Sequence, residues 1–454
     1  MSMVEDRTYS CYTKRDPYTG REMQVARHSS GCSVTLLPRP GFVHSFAAVG
    51  IPYGSIHTQV VDSDGVKKSF PPGSAHFFEH MVFGEAGSEG SLFEQLSELG
   101  ARANALTGYC DTVYYFVTIE NVERCLQLLL DAVTEVDLLP ASVERERAII
   151  LSELGLDRDS SEQICFTNLM RAMWKNHPAG EHIIGSEASL AKITPAILAD
   201  FADTFYTLPN FSIVLVGDHE AETIFPKIMA NLDSIRNGNR RHCRNSRFDS
   251  LPLPEPAEVA EKMVCVTRDV LIGQFLIGIK LPAPTLSNSF NSRDLLSLRL
   301  SGRLFFDSIL GDTAPLFTKL ESVGLVNDSF GYTWICENSF ATLVVGGESA
   351  DPAAAADAVK AELLAIGRDL TTHPNLDDYE RQRRIETGDF IRSLDSISST
   401  GMAATESVLS GSDLFDYALL YRDIDPAAVI RAMDFLSNEA YYCSSLVLAE
   451  TRTH

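Results

Sequence analysis

Residues 75–83 read AHFFEHMVF and follow a Pro-Pro-Gly-Ser break at residues 71–74. The break and the absence of helix breakers after it predict a helix. Because positions four apart share one helix face, the imidazoles of His76 and His80 can reach the same metal ion. Glu79 lies beside that pair and can contact a metal-bound water without being a ligand. Two histidines on a helix are about as often ordinary surface or core residues, so the pattern alone leaves both interpretations open.

A catalytic zinc ion takes three protein ligands and keeps one position for water, so a third ligand is needed. The strongest candidate is Glu153, in a long helix that the pattern predicts from Pro140 onward. Glu146 lies two turns earlier on the same face of that helix. Its carboxylate can accept a hydrogen bond from a histidine ligand and so orient it, without binding the metal itself.

The same helix carries an alternating set of charged residues, namely Glu144, Arg145, Glu146, Arg147 and Glu153. Such a set is also typical of a solvated helix face, and that interpretation stays open at this point. Ile149 and Ile150 lie between Glu146 and Glu153 and favour a helix that packs inward.

Composition excludes several classes of function. The chain has 454 residues, which suits two or three domains, and its formal net charge of −23 argues against nucleic acid as a partner. We see no secretory signal in the first residues and no apolar run near the roughly 20 residues of a membrane span. Nine cysteines without a CxxC pair favour reduced, mostly buried thiols. We therefore expect a cytoplasmic protein without a membrane partner.

The two halves of the chain repeat one order of predicted elements. A strand-rich run is followed by helices, by a hairpin formed from ARANALT and TVYYFVTI, by further helices and by the strand FSIVLVGD. The second half begins with a predicted strand pair at 263–281 and closes with SSLVLAE. We predict α+β domains at 1–235 and 263–454, each a mixed or antiparallel sheet with helices packed on one face. Residues 236–262 lack apolar periodicity and are predicted to form the linker.

The segment HFFEH fits HxxEH, the inverted form of the HExxH zincin motif. Together with Glu153, which lies 73 residues after His80, it resembles the pitrilysin-type (M16, inverzincin) zinc metallopeptidases. The resemblance extends over ARANALTGYCDTVYYF, HPAGEHIIGSEASLAKIT and FADTFYTLPNFSIVLVGD, and it covers roughly residues 34–450. It is strongest for the small bacterial members that are similar to processing peptidases.

The resemblance implies a role for each residue of the motif. Zn²⁺ is expected on His76, His80 and Glu153, with Glu79 as the catalytic base. Glu146 is expected to act as the supporting glutamate of the active site. The fold implied is that of the M16 peptidases, with two homologous domains.

The resemblance also places Asn104 and Ala105 on an edge strand that binds substrate. An extended peptide would pair with this strand through backbone hydrogen bonds, with limited sequence preference. The alternative for Asn104 is an ordinary turn residue that caps a strand.

Active relatives also carry an Arg and a Tyr, seven residues apart, that hold the substrate carbonyl and stabilise the oxyanion. In this chain those positions are Leu320 and Asn327, and the nearby Lys319 and Tyr332 have the wrong spacing. The resemblance to two-subunit members then implies a heterodimer with a homologous subunit that lacks HxxEH, enclosing a peptide-sized chamber. A homodimer is the alternative.

These features together predict a zinc-dependent endopeptidase that hydrolyses short or unfolded peptides, such as a leader or propeptide. Zinc lowers the pKa of its bound water to about 7, and Glu79 takes the proton. Two alternatives from other classes are a non-catalytic assembly subunit and a peptide-binding module of the same fold.

Overall fold

The structure is a computed structural model that describes residues 9–84, 90–238, 248–251, 253–282, 292–311, 314–370 and 376–450. Within these ranges, none of the helices has both the length and the apolar character needed to cross a bilayer. The chain divides into two compact units. Unit 1 comprises Met1–Ser152, Ile183–Leu251 and Ile391–Asp416, and unit 2 comprises Glu153–His182, Pro252–Phe390 and Tyr417–His454.

The strands are β1 (Ser10–Arg15), β2 (Glu22–Arg27), β3 (Ser33–Pro38), β4 (Ser45–Ile51), β5 (Gln59–Asp62), β6 (Lys67–Ser69), β7 (Arg102–Thr107), β8 (Thr112–Thr118), β9 (Ser212–Gly217), β10 (Phe248–Ser250), β11 (Met263–Arg268), β12 (Gly273–Leu281), β13 (Gly331–Cys336), β14 (Ala341–Ser349) and β15 (Tyr442–Ala449). The α-helices are α1 (Ser74–Phe83), α2 (Leu92–Glu98), α3 (Val122–Thr134), α4 (Pro140–Asp159), α5 (Ser161–Met173), α6 (Glu187–Leu190), α7 (Pro195–Phe205), α8 (Ala221–Gly238), α9 (Ser292–Leu310), α10 (Pro315–Ser322), α11 (Pro352–Arg368), α12 (Leu376–Ser393), α13 (Ile397–Leu409), α14 (Asp416–Asp423) and α15 (Pro426–Ala432).

Unit 1 is built around a seven-stranded sheet in the order β1-β2-β3-β9-β4-β8-β7. β3 and β9 are parallel, and the other neighbours are antiparallel. Every residue of β4, SFAAVGI, is buried, as expected for a continuous apolar run in a central strand. β7 ends the order and is therefore an edge strand. The hairpin predicted from ARANALT and TVYYFVTI is confirmed, because β7 pairs with β8.

Unit 2 repeats this arrangement in a five-stranded sheet of order β11-β15-β12-β14-β13. β11 and β15 are parallel and the remaining pairs antiparallel, as in the stretch β3-β9-β4-β8-β7 of unit 1. The predicted internal repeat is therefore confirmed. The strand pair predicted at 263–281 is wrong, because β15 lies between β11 and β12.

Helices cover both faces of the central strand in unit 2. A Cβ added at Gly278 of β12 would lie 2.7 Å from Cε of Met173, so α5 packs on that face. The strand pleat turns Ile277 and Ile279 to the opposite face, where they join a core with residues of α9 and α11. The predicted fold class, α+β with two homologous sheet domains, is confirmed. The detail that helices pack on one face only is wrong for this strand.

Each compact unit includes one helix from the other half of the chain. α5 belongs to unit 2 and contacts β12 and β15, whereas α13 belongs to unit 1 and contacts β4 and β9. The division into 1–235 and 263–454 describes chain order and stays a prediction. Of the predicted linker 236–262, residues 239–247 and 252 lie outside the described residues, and Phe248–Ser250 forms β10, which pairs with β5.

Candidate metal centre

Helix α1 follows a backbone position that glycine adopts more easily than other residues. Gly73 has a φ of 89°, and an added Cβ would lie 2.2 Å from the carbonyl oxygen of Ile184. Ser74 donates from its Oγ to the carbonyl of Pro71 at 2.7 Å. Both contacts fix where α1 starts, and therefore the direction in which the residues of the motif point.

The motif HFFEH divides between two sides of α1. Phe77 and Phe78 are completely buried and anchor the helix in unit 1. The rings of His76 and His80 are neighbours, with centroids 4.7 Å apart. The two histidines therefore share one face, as positions four apart in a helix should.

The predicted ligands come together in the structure. The ligand atoms of His76, His80 and Glu153 all lie within 4.8 Å of one another. Zinc bonds to nitrogen and oxygen are about 2.0–2.2 Å long, so small side-chain adjustments bring such atoms onto one ion. Two imidazoles and one carboxylate are the donor set of several catalytic zinc sites, with the fourth position open for water. The residues fit a zinc ion, and its presence stays a prediction.

Arg147 fixes the rotation of α4, the helix that carries both predicted glutamates. Its guanidinium donates to the carbonyls of Leu190 and Ile193, the second at 2.6 Å. It also lies over the ring of Phe77 in α1, at 5.4 Å from the centroid. Arg147 is therefore a packing residue that links α4 to the motif helix, rather than part of a solvated face. Sequence spacing offered no signal for this role.

The two sides of α4 differ in exposure. Glu146 is 6% exposed and Ile150 is completely buried, whereas Ile149 is 48% exposed. The side chain of Glu144 is 74% exposed. The inward packing expected of α4 is therefore found for Ile150 and is wrong for Ile149.

Glu146 approaches one of the predicted ligands. Its Oε2 lies 3.7 Å from Nδ1 of His80, and its Oε1 lies 3.8 Å from Nε of Arg145. A carboxylate beside Nδ1 favours the tautomer that has its proton there, which leaves Nε2 as the metal-binding atom. The supporting role predicted for Glu146 is consistent with this geometry.

Replacing Glu146 by Gln should raise the zinc dissociation constant about 10–100-fold. The amide has no charge with which to hold the Nδ1 proton of His80, so the ligand loses its fixed orientation. Competition with a chromophoric chelator measures the constant. Asp159→Asn, an exposed carboxylate at the end of the same helix, is the control and should change little. An unchanged constant in Glu146→Gln would show that this carboxylate does not support the site.

Glu79 has a partner that the sequence did not indicate. The hydroxyl of Thr107, the last residue of β7, donates to Oε2 of Glu79. The two residues are 28 positions apart, so no spacing rule connects them. The hydrogen bond orients the carboxylate of Glu79, the residue predicted to act as the base.

Asn104 and Ala105 lie on β7, the edge strand, where they were predicted. The Oδ1 of Asn104 accepts from the backbone N–H of Ala105 at 2.9 Å, and its Nδ2 donates to the hydroxyl of Tyr115 at 3.4 Å. Asn104 thus covers a backbone donor that β8 does not use. An incoming strand can take over that donor, and substrate binding at this edge stays a prediction.

The positions expected to hold Arg and Tyr are occupied in other ways. Leu320 is 2% exposed and belongs to the core of unit 2, and the side chain of Asn327 donates to Glu348 at 3.3 Å. Lys319 pairs with Glu362, and the hydroxyl of Tyr332 donates to Asp307. None of the four residues offers a substrate contact of the expected kind.

Comparison with protein families gives two matches. The family model described as Insulinase (Peptidase family M16) matches residues 67–187, and the model described as Peptidase M16 inactive domain matches residues 192–385. The first range contains HFFEH and Glu153, and the second contains Leu320 and Asn327.

Individual proteins are similar over part or most of the chain. An uncharacterized zinc protease of Bacillus subtilis (strain 168), YmfH, is 27% identical over 398 residues, which cover 87% of this chain and 89% of that protein. The beta subunit of the mitochondrial-processing peptidase of Homo sapiens is 30% identical over 148 residues, 32% of this chain and 30% of that protein. The crystal structure of an M16-like peptidase from Alicyclobacillus acidocaldarius matches with a TM-score of 0.85 at 24% identity, over 98% of this chain and 99% of that one.

Proposed function

The chain belongs to the M16 family of metallopeptidases, and on that premise we propose that it is a zinc-dependent endopeptidase subunit. Its substrates are short or unfolded peptides, with leader and propeptide removal as the kind of reaction that fits best. The observation that carries the proposal is the meeting of His76, His80 and Glu153 within 4.8 Å, with Glu79 on the same helix as the two histidines.

A bound zinc ion would supply a Lewis acid that polarises the peptide carbonyl and acidifies water at the open position. His76, His80 and Glu153 would hold it. Glu79 accepts the proton of the attacking water and later delivers a proton to the leaving amine, while Thr107 keeps its carboxylate oriented. In this arrangement Glu79 is the proton acceptor of the site and is not one of the zinc ligands.

The peptide would bind along β7 as an added strand. Backbone hydrogen bonds to an edge strand hold an extended chain without reading its side chains, which suits a peptidase for unfolded segments. Asn104 would release the N–H of Ala105 when the substrate pairs. Binding in this way would select peptides by their extended conformation rather than by the identity of one side chain.

We propose that a homologous subunit without HxxEH completes the active enzyme. The support is local: Leu320 is buried in the core, and Asn327 is bound to Glu348, so this chain lacks the Arg and Tyr of active relatives. A partner that supplies them would stabilise the developing oxyanion. The full assembly is a heterodimer, and we propose that it acts in the cytoplasm. A reducing compartment suits the buried free cysteines of the described residues, namely Cys32, Cys125, Cys165, Cys336 and Cys443.

A second function has one observation in its favour. Residues 192–385 match a model described as an inactive M16 domain, which suits a peptide-binding or assembly subunit without turnover. The intact donor set and Glu79 favour the peptidase.

The partner proposal is tested by assaying the purified chain alone and together with the homologous subunit from the same genome. We expect the pair to cleave unfolded peptides about 10²–10³-fold faster, the effect of restoring oxyanion stabilisation. Zinc content is measured in both preparations. Full activity from the lone chain would exclude the need for a partner, and a zinc-free active preparation would exclude the metal site itself.

A further inference from the structure

Unit 2 contains a cluster of polar side chains that the proposed function does not use. Its members come from four elements, and all of them belong to unit 2: Arg303 and Asp307 of α9, Tyr332 of β13, Glu386 of α12 and Tyr421 of α14. The cluster holds two carboxyl groups, one guanidinium and two phenol hydroxyls in mutual contact. Its charge balance therefore depends on the protonation of the carboxyl groups.

The cluster is built on elements that correspond to those of the metal centre. α1 and α9 are each followed by a shorter helix and then by an edge strand, β7 or β13, and α4 and α12 are each the second helix after the hairpin that contains this strand. In both places a hydroxyl of the edge strand donates to a carboxylate of the earlier helix: Thr107 to Glu79, and Tyr332 to Asp307. The cation of the second place is part of the chain, namely the guanidinium of Arg303.

One carboxylate oxygen of the cluster lacks a hydrogen-bond donor. Oε2 of Glu386 accepts from the hydroxyl of Tyr421 at 3.2 Å and lies 2.7 Å from Nε of Arg303. Oδ1 of Asp307 accepts from the hydroxyl of Tyr332. Oδ2 of Asp307 is buried and has no donor in the described part of the chain, since Nε of Arg303 is 3.8 Å away. A buried acceptor without a donor is costly, so the cluster needs one more hydrogen.

The carboxyl group of Glu386 can supply that hydrogen, because its side chain is hydrogen-bonded to that of Asp307. Two ionised carboxylates in contact repel each other, whereas a protonated carboxyl group donates to an ionised one. Among the residues that the structure describes, Arg303 is the only basic residue with a nitrogen within 4.0 Å of either carboxylate. One guanidinium compensates one of the two negative charges, and a proton on the pair removes the other.

The surroundings of Glu386 keep this proton in place up to neutral pH. Glu386 is 5% exposed, and burial together with the charge of Asp307 raises its pKa to about 7, although Arg303 opposes the shift. Burial and the neighbouring carboxylates also raise the pKa of Tyr332 and that of Tyr421 further above their ordinary values. The tyrosines therefore remain neutral donors, and the carboxyl pair is the group that titrates, as one coupled unit.

We propose that Asp307 and Glu386 share one proton that fastens α12 to α9, and that the contact between these helices weakens when the proton leaves. The folded-state pKa of Glu386 is raised above the unfolded value of about 4.3, so the folded chain retains the proton over a range in which the unfolded chain loses it. The contribution of the pair to stability is therefore complete below about pH 4, falls as the pH rises towards about 7 and stays low above it. Unit 2 thereby carries a contact that responds to pH near neutrality.

Glu386→Gln replaces the shared proton by a permanent amide N–H that can donate to Oδ2 of Asp307. The unfolding equilibrium constant of the full-length chain is measured by urea denaturation with tryptophan fluorescence, at about pH 5.5 and about pH 8.5. Between these values the constant of the wild type should rise at least about tenfold more than that of Glu386→Gln. Asp357→Asn, an exposed carboxylate on α11, is the control and should keep the wild-type dependence. An equal pH dependence in Glu386→Gln and the wild type would overturn the proposal.

Asp307→Asn is the reciprocal variant, because its amide can donate to the carboxylate of Glu386, and it should lose the pH dependence in the same way. Infrared spectroscopy of the wild type observes the shared proton without any substitution. We expect the carbonyl band of a protonated carboxyl group at about pH 6, its loss by about pH 8.5 and its absence from both variants. A wild type without this band, or folded variants that retain it, would show that the two residues do not share a proton.

Discussion

Replacing Glu79 by Gln is expected to lower the rate of peptide cleavage by the reconstituted pair about 10²–10⁴-fold, the usual contribution of a general base. Gln has the same shape as Glu and retains an oxygen that can accept from the hydroxyl of Thr107. Only the ability to accept a proton is lost. Zinc should remain bound, because the donor atoms belong to His76, His80 and Glu153. Steady-state cleavage of a fluorogenic peptide and metal analysis of the same preparation provide the two measurements.

The control is Glu98→Gln, an exposed carboxylate at the end of α2, which should leave both measurements unchanged. A Glu79→Gln variant that keeps its activity would remove Glu79 from the mechanism. A variant that loses zinc together with activity would instead make Glu79 a ligand or a structural support. A wild-type pair with bound zinc and no cleavage of any unfolded peptide would favour the peptide-binding alternative.

The candidate metal ligands could be named from the sequence because their relations are local or motif-based. His76 and His80 are four apart on one helix, and Glu146 and Glu153 are two turns apart on another, so periodicity alone predicts shared faces. The structure brings the resulting donor set together. Thr107 and Arg147 could not be predicted in this way. Each acts through contacts between elements distant in sequence, and nothing in the residue type distinguishes them from solvated neighbours.

The order of elements and the internal repeat also followed from the sequence, because strands and helices differ in periodicity. Which strands are neighbours did not follow. β15 lies between β11 and β12 in the sheet and is parallel to β11. Because β15 comes from the end of the chain, no local sequence pattern indicates that it pairs with these two strands. The exchange of α5 and α13 between the compact units is of the same kind. Gly278 makes room for Met173 of α5, a fit that exists only after the chain has folded.

Unit 2 contains a buried ion pair whose loss should have a large effect on stability. The side chains of Lys280 and Glu255 are 0% and 2% exposed, and their charged atoms are 2.5 Å apart. Lys280 also donates to the carbonyl of Pro256 at 2.7 Å and lies 4.6 Å from the ring centroid of Trp174. Glu255 accepts from the backbone N–H groups of residues 175–177. The pair therefore fastens the segment around Glu255 to β12.

We expect Lys280→Met to lower the free energy of unfolding of unit 2 by about 3–5 kcal/mol, because a carboxylate is left buried without its cation. Urea denaturation followed by tryptophan fluorescence measures this, since both tryptophans, Trp174 and Trp334, belong to unit 2. Lys319→Met breaks the exposed pair with Glu362 and should cost at most about 1 kcal/mol. A loss at Lys280 no larger than this control would show that the pair contributes little.

The pH dependence of the same experiment distinguishes the ion pair from simple packing. Burial alone would raise the pKa of Glu255, but hydrogen bonds from Lys280 and from the backbone N–H groups of Lys175 and Asn176 outweigh it and lower that pKa. A lowered folded-state pKa gives stability that is present above the unfolded value of about 4.3 and is lost as the pH falls through the folded value. The difference between wild type and Lys280→Met should therefore shrink as the pH falls, because Glu255, left buried without its cation in the variant, becomes protonated and no longer has an uncompensated charge. A difference that stays constant under acid would assign the effect to the packing of the lysine side chain against Trp174 rather than to its charge.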